Sequence, residues 1–258
     1  MNEVIDLNVC QFALIYLLLL IVLAIMKKCR INQSKLLVIA SMRMTVQLIL
    51  AGLILTYIFN NRHPLYTVTY LLAMTGFAIY IVLSRNNTIN ARFKVIVGGS
   101  LAATGLCTVC FFIIAVVGVS IFNPQYTIPI SGMIIGNAMT GVSLGLKTFH
   151  ETIQAERNKI DTLLNIGVTP PRVLNPVVNQ SLETALLPTI NTMLGMGIIS
   201  LPGMMTGQIL SGTMPMTAIL YQIAIIIAIC AVTCMAVFCS LYFGCKTLYN
   251  KRNQLTFE

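Results

Sequence analysis

Apolar residues in this chain gather into long unbroken runs instead of alternating with polar ones. Seven runs stand out, at about 9–26, 36–59, 65–83, 95–122, 128–146, 184–201 and 216–245. Each approaches the roughly 20 residues that cross about 30 Å of hydrocarbon at about 1.5 Å per residue. A segment in lipid must satisfy its backbone polar groups internally, which leaves helices or a closed barrel. A barrel would show alternating segments of about 10 residues. Continuous runs therefore predict an all-α integral membrane protein with about seven transmembrane helices.

Composition strengthens this reading. Of the 258 residues, 57% are hydrophobic and 9% charged, and the mean hydropathy is +0.87. Soluble domains carry about 25% charged residues, so lipid must be the solvent for most of this surface. The net charge of +9 does not mark a nucleic-acid partner, because the basic residues sit in short loops between the runs. Lys27, Lys28, Arg30 and Lys35 follow the first run, and Arg85, Arg92 and Lys94 the third. Lys147, Arg157, Lys159 and Arg172 follow the fifth, and Lys246, Lys251 and Arg252 the seventh. The opposite loops carry only Arg62, and Arg43 lies within a run. By the positive-inside rule the N-terminus is outside and the C-terminus cytoplasmic, and the acidic start at Glu3 and Asp6 agrees. The first run lacks a basic leader and a small-residue cleavage site, so it is expected to be an uncleaved anchor.

The whole of 1–258 is expected to form a single transmembrane domain, with a cytoplasmic loop at about 147–183 and an external Gly/Met-rich loop at about 202–215. Within the first loop, 148–166 has helical periodicity, with Ile153, Ile160, Leu163 and Leu164 on one face. Gly167 reads as a helix stop. Thr169 and Pro170 read as an N-cap and first helical position. A short helix to about Leu174 is expected, broken by Asn175 and Pro176. Such a hinged pair of helices suits docking on a partner. The external loop carries no charge and is expected to dip back into the membrane or cap a cavity.

Several residues are candidates for chemistry. The string from Gly141 to Thr148 superficially resembles a phosphate loop, but Leu146 stands where glycine must precede the lysine, so no nucleotide site is expected. Arg43 is costly inside the second run; it either reaches the headgroups or pairs with Glu183 at the start of the sixth, and Gln47 follows it one turn on. Gly132, Gly136 and Gly141 would let a neighbouring helix approach. Asn137, Asn191 and Gln208 are polar positions that could line a pathway. Met204 and Met205 belong to a methionine-rich stretch whose thioethers suit a soft metal, although flexible apolar filling is the simpler role. Cys107, Cys110, Cys230 and Cys234 lie inside runs and read as small apolar residues. His63 and His150 fall in opposite loops, and no carboxylate cluster lies within the runs, so no metal site is expected.

The stretch from Asp161 through Gly167, Val168, Thr169 and Pro170 resembles the coupling motif of ABC transporter permeases, with Asp161 in place of a glutamate. The downstream I-x-L-P of that motif is absent, replaced by Val177, Val178, Asn179 and Gln180. GNAMTGVSLGL from Gly136, SLPGMMTGQILSG from Ser200, Arg43 with Gln47 and Gly52, and Tyr221 with Gln222 resemble the FetB-type permeases. That family includes bacterial proteins tied to iron export and plant proteins tied to aluminium tolerance. The resemblance runs from the second run to the end. It implies a multi-pass permease of the cell (plasma or inner) membrane that exports iron or another metal species. It also implies a homodimer that binds separate ABC ATP-binding subunits through Asp161, Gly167, Val168, Thr169 and Pro170. ATP and Mg would be held by that partner, with no cofactor on this chain. The transport path would draw on Arg43, Gln47, Asn137, Glu183, Asn191, Met204, Met205 and Gln208. Two other readings stay open: a secondary carrier needing no ATPase, and a scaffold or sensor that recruits a cytoplasmic partner.

Overall fold

Four of the helices open on a proline, and that choice sets where each begins. Pro64, Pro124, Pro170 and Pro215 stand at the first turns of α3 (Pro64–Arg85), α5 (Pro124–Ala155), α7 (Pro170–Gly195) and α9 (Pro215–Cys245). A missing N–H is harmless there, because the first turn has no intrahelical acceptor for it. Two caps are completed by side chains: Asn123 Oδ1 accepts from Gln125 N at 3.2 Å, and His63 Nδ1 accepts from Leu65 N at 3.4 Å. The remaining helices are α1 (Val9–Lys28), α2 (Ser34–Asn60), α4 (Ala91–Phe111), α6 (Arg157–Asn165) and α8 (Gly203–Leu210). Among the described residues there is no strand, only an isolated bridge between Met196 and Ser200. The protein is all-α.

The computed structural model describes residues 9–61, 63–86 and 90–249, with side chains from Leu14 onward. Glu3, Asp6, Arg62, Lys251 and Arg252, which enter the charge pattern, lie outside the described residues. Within them, five helical stretches are long and apolar enough to cross a membrane: Ser34–Asn60, Pro64–Arg85, Ala91–Val117, Pro124–Ala155 and Pro215–Cys245.

Two compact units divide the chain. The first holds α1, α2 and Leu210–Gly212; the second holds the rest. In the first, Tyr16 Oη and Thr45 Oγ1 meet at 2.7 Å and tie α1 to α2. In the second, α3, α4, α5, α7 and α9 pack around one core. Its centre is Phe93, Val97 and Leu101 of α4, Ile134, Ala138 and Val142 of α5, Val177 of α7, and Ile225, Val232 and Leu241 of α9.

Where α5, α7 and α9 meet, the spacing is set by two glycines one turn apart. A methyl placed on Gly145 would lie 2.9 Å from Val237 Cγ1, 3.4 Å from Ala185 Cβ and 3.6 Å from the Ser181 carbonyl oxygen. One on Gly141 would collide with Thr233 Cγ2. Helix association in lipid depends on such close backbone approach, because burial of apolar surface there gains little. The stretch that mimics a phosphate loop is thus a continuous part of α5. Gly132 makes a similar approach, to Met74 Cε of α3 at 3.3 Å, but Gly136 faces open space. The expected role of Gly136 as a packing glycine is not realised.

Four boundaries differ from the sequence expectation. The fifth run does not end at 146: α5 continues to Ala155, so the helix expected over 148–166 is divided between α5 and α6 at Glu156. The fourth run does not stay helical to 122: α4 passes into a π-helical turn at Phe112–Val117 and stops at Gly118, whose φ of 73° favours glycine. The segment at 202–215 is no loose loop, since it contains α8. Most consequentially, Pro176 does not break the second cytoplasmic helix. α7 runs on through Pro176 and Pro188 to Gly195, so the helix starts at 170 and ends before 201. An interior proline costs about 3 kcal/mol. Val173, Leu174, Val177 and Val178 are each less than 10% exposed, and burying one such side chain contributes about 1.5–3 kcal/mol. A straight face carrying all four outweighs the proline.

Candidate functional site

The elbow between α6 and α7 is built by a capping motif. Val168 N donates to Leu163 O at 3.0 Å and Gly167 N to Leu164 O at 3.0 Å. These are the paired bonds of a Schellman ending, which requires a left-handed residue after the helix. Gly167 supplies it with φ 94°. Leu163 and Val168 both pack against the core, which completes the motif's apolar contact. The chain then extends at Thr169 (φ −67°, ψ 140°) and enters α7 at Pro170. Thr169 therefore sits at the expected N-cap position, although its hydroxyl makes no capping bond.

The elbow is fixed on one side and offered on the other. Ile160 is 2% exposed and anchors α6. Ile166, at the turn, is 70% exposed. Asp161 points outward and pairs with Arg157 one turn away, Nε to Oδ2 at 4.0 Å, with both side chains more than half exposed. Lys159 and Glu156 pair at 3.1 Å, also in solvent. Exposed pairs of this kind contribute little to stability. The surface is a rigid apolar knob ringed by charges of both signs. Gly167, Val168 and Thr169 form the turn itself, Pro170 opens α7 and Ile166 stands at the rim, while Asp161 lies earlier on α6. Ile166 falls off the apolar face that Ile160, Leu163 and Leu164 share, and that offset is the signal in the sequence for its exposure.

The path candidates are dispersed. Asn137 on α5 is exposed, with Nδ2 donating to the Met133 carbonyl at 2.7 Å. Glu183 and Asn191 on α7 are exposed as well. α7 carries a polar strip through Arg172, Asn175, Asn179, Gln180 and Glu183, opposite the buried Val173, Val177 and Ser181. Asn179 and Gln180 were treated only as a departure from a motif, and the strip appears only once α7 is known to be one helix. Met204 packs against the core and Met205 is 8% exposed, whereas Met214 and Met216 are 76% and 69% exposed. Gln208 is half-buried on α8. Arg43 and Gln47 are exposed on α2 in the first unit. Among the described residues, no three of His, Cys, Asp and Glu gather into a possible ion site.

A cleft of about 310 Å³ lies between the end of α3 and the second half of α5, lined by Arg85, Asn86, Met139, Thr140, Ser143, Leu144 and Lys147. In the sequence Arg85 reads as a topology marker, and Lys147 as a topology marker and the lysine of the phosphate-loop mimic; nothing there joins the two.

Comparison with known proteins supplies the lineage. Residues 9–249 match the model of the family described as "Uncharacterised protein family (UPF0014)". The chain is 30% identical over 248 residues to the UPF0014 membrane protein YjkA of Bacillus subtilis, covering 95% of this chain and 98% of that one. It is 30% identical over 250 residues to the "Probable iron export permease protein FetB" of Escherichia coli, covering 96% and 95%. It is 31% identical over 213 residues to the protein ALUMINUM SENSITIVE 3 of Arabidopsis thaliana, covering 83% and 77%. No solved structure matches the chain significantly.

Proposed function

This chain belongs to the UPF0014 family of membrane proteins, and from that premise we propose that it is the permease subunit of an ABC-type exporter driven by a separate ATPase. The observation that carries the proposal is mechanical. The elbow knob is joined without interruption to α7, 26 residues long or roughly 40 Å at the usual rise. A partner that seizes Ile166 and Asp161 and shifts the elbow moves that whole helix. α7 packs on α5 and α9 at the Gly141 and Gly145 crossing, so the motion passes into the bundle by rigid contact.

The polar strip of α7 supports transport over a purely structural span. Glu183 and its polar neighbours are too costly to face lipid. They face water or a second copy of the chain, so α7 lines a pathway or a dimer seam. In this reading α1 and α7 join the five apolar helices to make seven spans. The N-terminus lies outside and the C-terminus in the cytoplasm of a cell (plasma or inner) membrane. The substrate is iron or another metal species, following the name of the FetB relative. Transient contacts along Asn137, Glu183 and Asn191 suit such a passage better than a fixed ion cage.

Reconstitution tests it. The purified chain with an ATP-binding-cassette partner in vesicles should hydrolyse ATP faster in the presence of the exported metal. Replacement of Gly167 by valine should cut transport per ATP severalfold while the complex still assembles. Transport by the chain alone, with no nucleotide-hydrolysing companion, would sink the proposal in favour of a secondary carrier. Hydrolysis indifferent to every metal would favour a scaffold.

A further inference from the structure

The cleft at the end of α3 has a composition that neither the fold nor the proposed coupling uses. Arg85 closes α3 as its last residue, and Lys147 reaches the same opening from α5, 62 positions later in the chain. Between them Ser143 Oγ is buried and has no hydrogen-bond partner. A buried hydroxyl without a partner loses its hydration for no return, so Ser143 Oγ would gain from a hydrogen bond to an acceptor in the cleft. The other polar groups are already partly used: Asn86 Nδ2 donates to the Val82 carbonyl at 2.9 Å, and Thr140 Oγ1 to the Gly136 carbonyl at 3.0 Å. What remains is donor-rich, with a guanidinium, an ammonium and a hydroxyl around one opening. Among the described residues Arg85 has no ion-pair partner. Lys147 has one, Glu151 at 3.8 Å, with both side chains about two-thirds exposed, and a pair so exposed is readily exchanged for a better acceptor.

We propose that this cleft binds a phosphate group, presented either by an anionic phospholipid or as free phosphate. A tetrahedral phosphate matches the arrangement: the guanidinium fork takes two unesterified oxygens side by side, while Lys147 adds charge and Ser143 donates to a remaining oxygen, an ester oxygen in a phosphodiester lipid. A volume of about 310 Å³ exceeds what one phosphate needs and leaves room for a glycerol stub or bridging water. The two cations also disfavour any bare metal ion at this opening, so a cation in transit takes another route. Placement beside the inner-leaflet headgroups rests on the topology proposed above; the binding itself does not.

The full-length chain, purified in detergent, tests this by native mass spectrometry with phosphatidylglycerol or phosphatidylcholine, and by thermal shift with inorganic phosphate. The expected result is retention of phosphatidylglycerol about tenfold above phosphatidylcholine, stabilisation by millimolar phosphate, or both. Lipid preference alone assigns the site to the membrane, and stabilisation by phosphate alone to a soluble ester. The double variant Arg85→Gln with Lys147→Gln should abolish either effect. Ser143→Ala should weaken it severalfold and leave the ligand-free melting temperature unchanged, as a merely structural serine would not. Glu151→Gln, which removes the competing carboxylate, should strengthen it. Absence of both effects in the unaltered chain, or their survival in the double variant, overturns the proposal. Topology is read separately from loop reporters, so its failure would leave this result intact.

Discussion

Gly145 sets a close crossing in the bundle that one substitution can break and a second repair. In Gly145→Ala the new methyl sits 2.9 Å from Val237 Cγ1 and 3.4 Å from Ala185 Cβ, against about 3.5–4.0 Å for relaxed carbon pairs. Val237 is 1% exposed and Ala185 2%, so neither has free space to retreat into. The helices must part by several tenths of an ångström, and overpacking of this size costs about 1–3 kcal/mol. Val237→Ala alone removes two buried methyls and leaves a small hole, at a cost of about 1–2 kcal/mol. In the double variant the methyl on residue 145 enters the space that Val237 vacates. Its cost should fall at least about 1 kcal/mol below the sum of the singles, a coupling within the range for contacting residues. Unfolding of the purified protein by SDS in mixed micelles measures all four corners of the cycle. A neutral Gly145→Ala, or strictly additive singles, would show that α5, α7 and α9 do not meet at this crossing.

Other outcomes follow from the same geometry. Gly167→Ala meets no atom within 4 Å, so its cost is torsional alone, about 1 kcal/mol for a left-handed residue. Gly167→Asn should cost less, and chemical denaturation ranks the two. Thr169→Ala should change stability by less than about 0.5 kcal/mol because its hydroxyl caps nothing. Asn123→Ala should cost about 1 kcal/mol because its side chain does cap α5. A reversed order would refute the assigned helix starts. In a cysteine-free background, Asn137→Cys, Glu183→Cys and Asn191→Cys should react in vesicles with a charged maleimide much faster than Val95→Cys, on the 75% exposed apolar face of α4. Equal rates would remove these residues from any watery path.

The polar and apolar pattern settled the helical membrane class and the turn at Gly167 by itself, because each rests on local physics. A run of about 20 apolar residues has to be helical in lipid. A proline after Thr169 favours a helix start there, and the glycine after α6 favours its end. What lay beyond the sequence was every matter decided by what lies opposite a residue. Pro176 has the local signature of a break, yet α7 passes through it because Val173, Leu174, Val177 and Val178 find a partner surface on the far side. Gly136 and Gly145 have the same local character, yet only Gly145 has a neighbour in the way. Arg85 and Lys147 share a cleft only because α3 lies against α5. Local backbone preferences are worth about 1–3 kcal/mol each and can be read in order along the chain; the packing that overrides them joins residues dozens of positions apart, and tertiary structure alone brings those together.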